Sequence, residues 1–157
     1  MIGIINYGLG NIAAIKRAFD LIGVESDYVD NSIQIDKCSH LILPGVGSFD
    51  DSICRLEKSK LISSLEDYVF NRGLNIVGIC VGMQILFESS EEGNLDGLGW
   101  IKGKVKRFNE NPYDANRVLP YPHMGWNKIK VNSDLRICDG LDNNEFYLDQ
   151  LNFKKKK

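Results

Sequence analysis

The chain has 157 residues, of which 43% are hydrophobic and 25% charged, a composition typical of a globular domain. Its formal net charge of −2 argues against a nucleic-acid partner, because electrostatic binding to phosphates requires a concentrated basic surface. The longest apolar run, Ile76–Phe87, is too short to span a bilayer, and the amino terminus lacks the features of a secretory signal. We therefore expect a cytoplasmic protein with no membrane or nucleic-acid partner.

The cysteine spacing predicts neither a metal site nor a disulfide framework. Cys38, Cys54, Cys80 and Cys138 are irregularly spaced, and no two of them form a C-x-x-C pair. In a chain without a secretory signal, paired cysteines are not expected either. No metal site is therefore expected, and from the sequence as a whole we expect no cofactor.

Short apolar segments alternate with turns and amphipathic segments along the first 90 residues. The predicted strands are Met1–Asn6, Val24–Val29, Leu41–Leu43 and Asn75–Ile79. Three helices are predicted. The first follows an N-cap at Asn11, and the second carries Ile62, Leu65 and Val69 on one face and ends at a C-cap at Gly73. The third runs from Val81 to Glu88. This alternation predicts an α/β fold of the flavodoxin-like kind, an open, mostly parallel sheet with helices on both faces.

The pattern changes after Glu91. Trp100–Phe108 and Asn127–Asn132 are predicted strands, which we interpret as an antiparallel extension of the sheet. Because the sequence contains no linker or repeat, residues 1–153 are expected to form a single domain. The four lysines at 154–157 are expected to be a disordered tail.

The segment Gly78-Ile79-Cys80-Val81-Gly82 is the sharpest chemical feature of the sequence. It follows an apolar strand and precedes a helix, so it matches the G-x-S-x-G nucleophile elbow with a thiol in place of the hydroxyl. Side chains at the two glycine positions would collide with neighbouring backbone, while the turn would expose Cys80 at the carboxyl edge of the sheet, where α/β sheets bind ligands. The alternative interpretation is a structural cysteine at the end of a strand.

A second glycine-rich loop, Leu43–Phe49, follows the preceding strand and should reach the same edge. Glycines on both sides of Val46 let backbone N–H groups approach a ligand closely. Such a loop could donate to a developing oxyanion, with the N–H of Val81 as the second donor. An ordinary strand-to-helix turn is the alternative.

Two other features leave the chemistry open. Gly8-Leu9-Gly10-Asn11-Ile12-Ala13, with Asp30 downstream, matches a dinucleotide fingerprint, although glycine turns are common in parallel sheets. A cysteine nucleophile normally needs a nearby histidine base, and the sequence has only His40 and His123. His40 precedes the third strand, at the end opposite the expected site, and His123 lies in the loop-like segment Pro122–Asn127.

Four segments together resemble one known family. They are Asn6–Asn11, Pro44–Phe49, Gly78–Gln84 and Pro122–Asn127. In this order and spacing they resemble the glutaminase subunit of imidazole glycerol phosphate synthase, a class I, triad-type glutamine amidotransferase. The cysteine elbow alone would indicate only a class I amidotransferase, and the other three segments narrow the resemblance to this one subunit. Residues 1–153 would then be one glutamine amidotransferase domain, incomplete at its carboxyl terminus.

The resemblance implies a specific reaction. Cys80 would attack the side-chain amide carbon of glutamine, form a thioester and release ammonia. The N–H groups of Val46 and Val81 would form the oxyanion hole. The residues expected to contact the substrate are Gly45, Gly47 and Gln84.

The resemblance also implies a partner. Ammonia would pass to a cyclase, a TIM-barrel subunit of the same heterodimer, which combines it with a phosphoribosyl substrate in histidine biosynthesis. The interface candidates are His123, Met124, Trp126 and Asn127. A paralogous group with the same motifs supplies ammonia for the amination of surface sugars, and the motifs alone do not separate the two pathways.

The chain departs from the family near its carboxyl end. The family carries its base and orienting acid there as a His-x-Glu pair after an aromatic strand, and Glu145–Leu148 matches only the start of that strand. Neither His40 nor His123 stands in the base position. We expect a truncated or frameshifted product whose catalysis is reduced by several orders of magnitude. A catalytically impaired scaffold that docks on the cyclase is the alternative hypothesis.

Overall fold

The computed structural model describes residues 1–106, 123–128 and 145–150. The chain divides into two compact units, Met1–Val105 and Lys106–Lys154. The tail predicted at 154–157 lies outside the described residues.

Four parallel strands form the main sheet of the first unit. They are β1 (Ile2–Ile5), β2 (Ser26–Val29), β3 (His40–Gly45) and β4 (Asn75–Cys80), in the spatial order β2-β1-β3-β4. All three neighbouring pairs are parallel, so the carboxyl ends of the strands share one edge. The predicted parallel α/β sheet is confirmed, and each predicted strand ends within two residues of the observed one.

Helices lie between these strands and directly after the last of them. They are α1 (Ile12–Leu21), α2 (Ser32–Ile35), α3 (Phe49–Ser59), α4 (Ile62–Glu66), which continues as a π-helical turn over Asp67–Asn71, and α5 (Val81–Gln84). Asn11 caps α1 as predicted, because its side-chain oxygen accepts a hydrogen bond from the N–H of Ala14 at 3.2 Å. Neither α2 nor α3 is among the predicted helices.

The sequence does carry a signal for α3. The hydroxyl of Ser48 accepts a hydrogen bond from the N–H of Asp51 at 3.2 Å, which is the N-cap that a Ser-x-x-Asp pattern predicts. Phe49, Ile53 and Leu56 then recur at helical spacing and are all buried. The helix therefore begins directly after the glycine-rich loop that follows β3, and holds that loop at the carboxyl edge of the sheet.

The core lies between the sheet and α3–α4. Leu41 and Leu43 of β3 belong to one buried cluster with Phe49, Leu56 and Leu65, and all five side chains are fully buried. Burial of each such side chain contributes roughly 1.5–3 kcal/mol to folding. β3, the strand that pairs with the cysteine-bearing β4, is thus anchored in the buried core of the first unit.

The helix predicted for Val81–Glu88 is too long. It ends at Gln84, and Phe87–Ser90 forms a strand, β5. The carbonyl oxygen of Ile85, which would continue a helix, instead accepts a hydrogen bond from the N–H of Leu98 at 2.8 Å. This hydrogen bond to a residue 13 positions along the chain competes with the helical hydrogen bonds and stops the helix after one turn.

The antiparallel pairing predicted for Trp100–Phe108 is also wrong. The observed strand β6 (Ile101–Val105) pairs in parallel with β5, in a two-stranded sheet separate from the main one among the described residues. The crossover between the two strands, which includes turn residues 95–99, brings the second strand back in the same direction. Polar alternation identified the strand, but it carries no information about the direction of its partner.

The second unit contains an antiparallel pair, β7 (His123–Lys128) and β8 (Glu145–Gln150). Trp126 lies opposite Tyr147 in this pair. The loop-like character expected for Pro122–Asn127 is wrong from His123 onward. Of the strand predicted at Asn127–Asn132, residues 129–132 lie outside the described residues.

None of the helices in the described part of the chain has the length and apolar character needed to cross a membrane.

Candidate active site

Cys80 ends β4 and stands at the N-cap of α5 with an unusual backbone conformation. Its φ is 57° and its ψ −122°, a combination that costs a residue other than glycine about 1–3 kcal/mol. Lys60 also has a positive φ, but its ψ of 22° is that of an ordinary left-handed helix cap. The side chain of Cys80 is exposed. The bend predicted between strand and helix is therefore present, and the cysteine lies outside the core at the carboxyl edge of the sheet.

The glycines around Cys80 are required by close backbone contacts. A Cβ on Gly78 would lie 2.5 Å from the Cα of Met83, and one on Gly82 would overlap the carbonyl oxygen of Leu43. A Cβ on Gly45 would in turn overlap the backbone nitrogen of Gly82. The collisions predicted at the two glycines of the elbow are thus confirmed, and the glycine of the neighbouring loop shares them.

The structure brings the two glycine-rich segments together. Gly45 is the register partner of Cys80, the last pair of the β3–β4 ladder. Val46 follows directly and is 45% exposed, while Val81, the first residue of α5, is buried. The N–H of a first helical residue has no partner within its helix, and the N–H of Val46 lies beyond the ladder. The two segments that carry these N–H groups therefore meet at the last pair of the ladder, between Gly45 and Cys80.

Gln84 lies one helical turn after Cys80 and is almost fully buried. Its Oε1 atom is buried without a hydrogen-bond partner among the described residues. An unpaired buried acceptor costs about 1–3 kcal/mol, which a ligand donor could recover. The side chain predicted to hold a substrate is thus a buried polar group whose oxygen has no hydrogen-bond partner among the described residues, close in sequence to Cys80.

Tyr7 is a residue of this site that the sequence patterns did not single out. Its hydroxyl donates a hydrogen bond to the carbonyl oxygen of Pro44 at 2.6 Å, and the ring is buried. Burial raises the pKa of Tyr7 to about 12, a hydrogen bond with Ser52 partly offsets the rise, and the charges of Asp51 and Cys80 add to it. Tyr7 is therefore protonated at neutral pH and acts as a donor. The available signal was its place at the end of β1, on the edge shared with Cys80.

The raised pKa of Tyr7 predicts a specific alkaline destabilisation. The pKa of Tyr7 is about 12 in the folded chain and 10.0 in the unfolded chain. The protonated hydroxyl therefore contributes fully to stability below pH 10, and this contribution is lost as the pH rises through 12. We expect the wild-type chain to lose about 1 kcal/mol more than Tyr7→Phe in its free energy of unfolding between pH 9 and pH 11. Urea unfolding at both pH values measures this difference, and parallel losses in the two proteins would contradict the assignment.

The histidines do not complete this site within the first unit. His40 begins β3, while the cysteine pairs with Gly45 at its end, and five residues of strand place the two about 16 Å apart. The four interface candidates, His123, Met124, Trp126 and Asn127, all belong to β7 of the second unit. Trp126 is 70% exposed, and the Nδ2 of Asn127 donates to the carbonyl oxygen of Gly125 at 2.9 Å. In the described part of the chain, no group of three or more His, Cys, Asp or Glu side chains is placed to hold a metal ion.

The glycine turn after β1 has a packing explanation that needs no dinucleotide. A Cβ on Gly10 would lie 2.7 Å from the Cβ of Pro44, so this glycine lets the turn pack against the loop of the site. Asp30, the residue expected to bind a ribose, instead accepts a hydrogen bond from Nδ2 of Asn6 at 2.7 Å. The cavity at this position, of about 390 Å³, is lined by Asn6, Tyr7, Asp30, Arg55, Lys58 and Ser59. The turn therefore supports the cysteine site structurally.

Comparison with known proteins agrees with this geometry. Residues 3–147 match the family described as "Glutamine amidotransferase class-I". The chain is 40% identical over 148 residues to "Imidazole glycerol phosphate synthase subunit HisH" of Leptospira interrogans, a match that covers 94% of this chain and 72% of that protein. Its identity to "Imidazole glycerol phosphate synthase subunit HisH 2" of Methanococcus maripaludis is also 40%, over 94% of this chain and 71% of that protein.

A solved structure described as "Crystal structure of glutamine amidotransferase" shares the fold. Its TM-score is 0.70 at 17% sequence identity, and the match covers 99% of this chain and 74% of that one. The fold likeness and the sequence matches thus agree over most of the chain. The chain therefore belongs to the class I glutamine amidotransferase family, and within it to the HisH subunits of imidazole glycerol phosphate synthase.

Proposed function

We propose that this chain is a glutaminase subunit in which Cys80 cleaves the side-chain amide of glutamine. The Sγ atom attacks the amide carbon, and the negative charge that develops on the oxygen is received by the N–H groups of Val46 and Val81. Collapse of this intermediate breaks the carbon–nitrogen bond, ammonia leaves with the proton of the thiol, and a γ-glutamyl thioester remains on Cys80. Water then hydrolyses the thioester to glutamate and regenerates the thiol.

The observation that carries this proposal is the strained Cys80 in register with Gly45. A structural cysteine has no need of a conformation that costs about 1–3 kcal/mol, whereas a nucleophile that must stand clear of its strand does. Each backbone donor to an oxyanion contributes roughly a 10²–10³-fold rate enhancement, so two donors beside the thiol supply a large part of amide-cleavage catalysis. Gly45, Gly47 and the unpaired Oε1 of Gln84 would complete the contacts to glutamine.

The names of the relatives support a synthase with more than one subunit. In our proposal the ammonia passes to a TIM-barrel cyclase partner, which makes imidazole glycerol phosphate in histidine biosynthesis. The exposed indole of Trp126 offers an apolar contact of the kind that anchors protein interfaces, and His123, Met124 and Asn127 share its strand. These four residues form our candidate interface.

A second candidate function is a scaffold that docks on the cyclase without cleaving glutamine. The position of His40 favours it, because the histidine of the first unit lies at the wrong end of β3 to act as a base for Cys80. A chain that copurifies with the cyclase but forms no adduct with a glutamine analogue would support the scaffold.

Covalent trapping tests the glutaminase proposal directly. The diazoketone 6-diazo-5-oxo-L-norleucine resembles glutamine and alkylates an activated thiol, so we expect one adduct, located on Cys80 by peptide mass spectrometry. Free glutamine should protect the site and asparagine should not. Cys80→Ala should abolish the adduct, whereas Cys54→Ala, at a partly exposed cysteine of α3, should retain it. Labelling that glutamine does not suppress, or that survives Cys80→Ala, would refute the proposal.

A further inference from the structure

The loop that carries Val46 has little conformational restraint of its own. Glycine on each side of Val46 leaves the backbone free to adopt many conformations, and Gly47 has a φ of 86°. An oxyanion donor is effective only when its N–H is held in place before the charge develops. Helix α3 restrains the end of the loop, so its start must be restrained by the residues that surround Pro44.

The hydroxyl of Tyr7 supplies a restraint at Pro44, just before this loop. The backbone ladder between β1 and β3 has its last pair at Ile4 and Ile42, so it does not reach the loop. Two residues farther along β3, the carbonyl oxygen of Pro44 accepts its hydrogen bond from the side chain of Tyr7 at 2.6 Å. Beyond the last β1–β3 pair, the side chain of Tyr7 therefore donates the hydrogen bond that the backbone of β1 no longer supplies to β3.

Other contacts hold the same peptide from different directions. The ring of Pro44 lies against Gly10, where a Cβ would come within 2.7 Å, and Gly45 lies against the backbone of Val81 and Gly82. The peptide between Pro44 and Gly45 is therefore packed on two sides, while the Tyr7 hydroxyl fixes the direction of its carbonyl. Because a peptide group is planar, a fixed carbonyl direction also fixes the direction in which the chain enters the loop.

We propose that the buried hydroxyl of Tyr7, by donating to the Pro44 carbonyl oxygen, positions the 45–47 loop so that the Val46 amide faces the nucleophile Cys80. This inference rests on the proposed glutaminase function. Tyr7 is a positioning residue, since it acts through Pro44. The charge of Cys80 contributes to the raised pKa of Tyr7, which supports the proximity of the Tyr7 hydroxyl to Cys80.

Acylation by an activated ester isolates this role. The 4-nitrophenyl γ-ester of glutamate transfers its acyl group to Cys80, the carbon–sulfur bond forming as 4-nitrophenolate leaves, so the step needs no acid to protonate the leaving group. We expect Tyr7→Phe to lower the first-order acylation constant of the full chain roughly tenfold. Loss of one oxyanion donor slows catalysis by more than tenfold, and a donor that is only misplaced loses part of that rate enhancement. The half-saturating ester concentration and the rate of alkylation by iodoacetamide should not change.

Tyr68→Phe is the matched control. Tyr68 is also fully buried, and its hydroxyl also donates to a backbone carbonyl, that of Cys38 at 3.4 Å, but this contact lies before the amino end of β3. Both variants lose a buried hydroxyl, so a general effect of destabilisation would slow both. Equal acylation constants in Tyr7→Phe and the wild type, or equal losses in the two variants, would overturn the inference. Failure of the glutaminase proposal looks different, since the wild type would then show no nitrophenolate burst that depends on Cys80.

Discussion

Replacement of Cys80 by glycine is expected to raise the free energy of unfolding of this chain by about 1–2 kcal/mol. At φ 57° and ψ −122° the Cβ of a cysteine is strained, whereas glycine adopts this region freely. Part of the gain is offset by the greater entropy of glycine in the unfolded chain, roughly 0.5–1 kcal/mol. Since the thiol is exposed, its removal forfeits little buried area. Urea unfolding monitored by circular dichroism measures the difference.

Cys80→Ala separates the backbone effect from the loss of sulfur. Alanine keeps the Cβ and hence the strain, so the stability of Cys80→Ala should stay close to that of the wild type, while both variants lose the proposed nucleophile. A Cys80→Gly protein no more stable than Cys80→Ala would show that the conformation is not strained. A stabilising substitution at a catalytic position is the usual sign that geometry at an active site is maintained for function at the expense of stability.

The fold and the centre of the site were predictable from the sequence because both depend on local patterns. Apolar runs bounded by glycine and proline located all four strands of the main sheet to within two residues. The glycines around Cys80 predicted the bend, and the order of the strands then placed the Pro44–Phe49 loop at the same edge. Each of these predictions needed only the period of a strand and the steric demand of a turn.

The features that were missed or wrong depend on distant partners. The helix after Cys80 stops early because residues near Leu98 pair with the Ile85 carbonyl, and no pattern within 81–88 reports that pairing. The hydrogen bond from Tyr7 to Pro44 joins residues 37 positions apart, and a tyrosine in a turn is usually assigned to the surface. The direction of β6 depends on the path of its crossover, which polar alternation does not encode.

Gly82→Ala is expected to destabilise the chain by about 3 kcal/mol or more, a large part of the 5–15 kcal/mol typical of a domain. The added methyl group would overlap the carbonyl oxygen of Leu43 and crowd the carbonyl carbon of Pro44. Both contacts are with the backbone of β3, which is fixed in the buried core, so no side-chain rotation can relieve them. The chain must either separate α5 from β3 or unfold.

Gly23→Ala is the control for this prediction. Gly23 has a φ of 70° and nothing within 4 Å of an added Cβ, so alanine there should cost only about 1 kcal/mol through its backbone conformation. Denaturant midpoints of the two variants measure the difference, and similar midpoints would show that α5 and β3 can move apart easily. If α5 and β3 cannot move apart easily, Cys80 in the folded fraction of Gly82→Ala should also be acylated slowly. The reason is that Val81 and Gly45 lie in the same α5–β3 contact that the added methyl group disturbs. The packing that stabilises the sheet edge is then also the packing that holds the two proposed oxyanion donors beside Cys80.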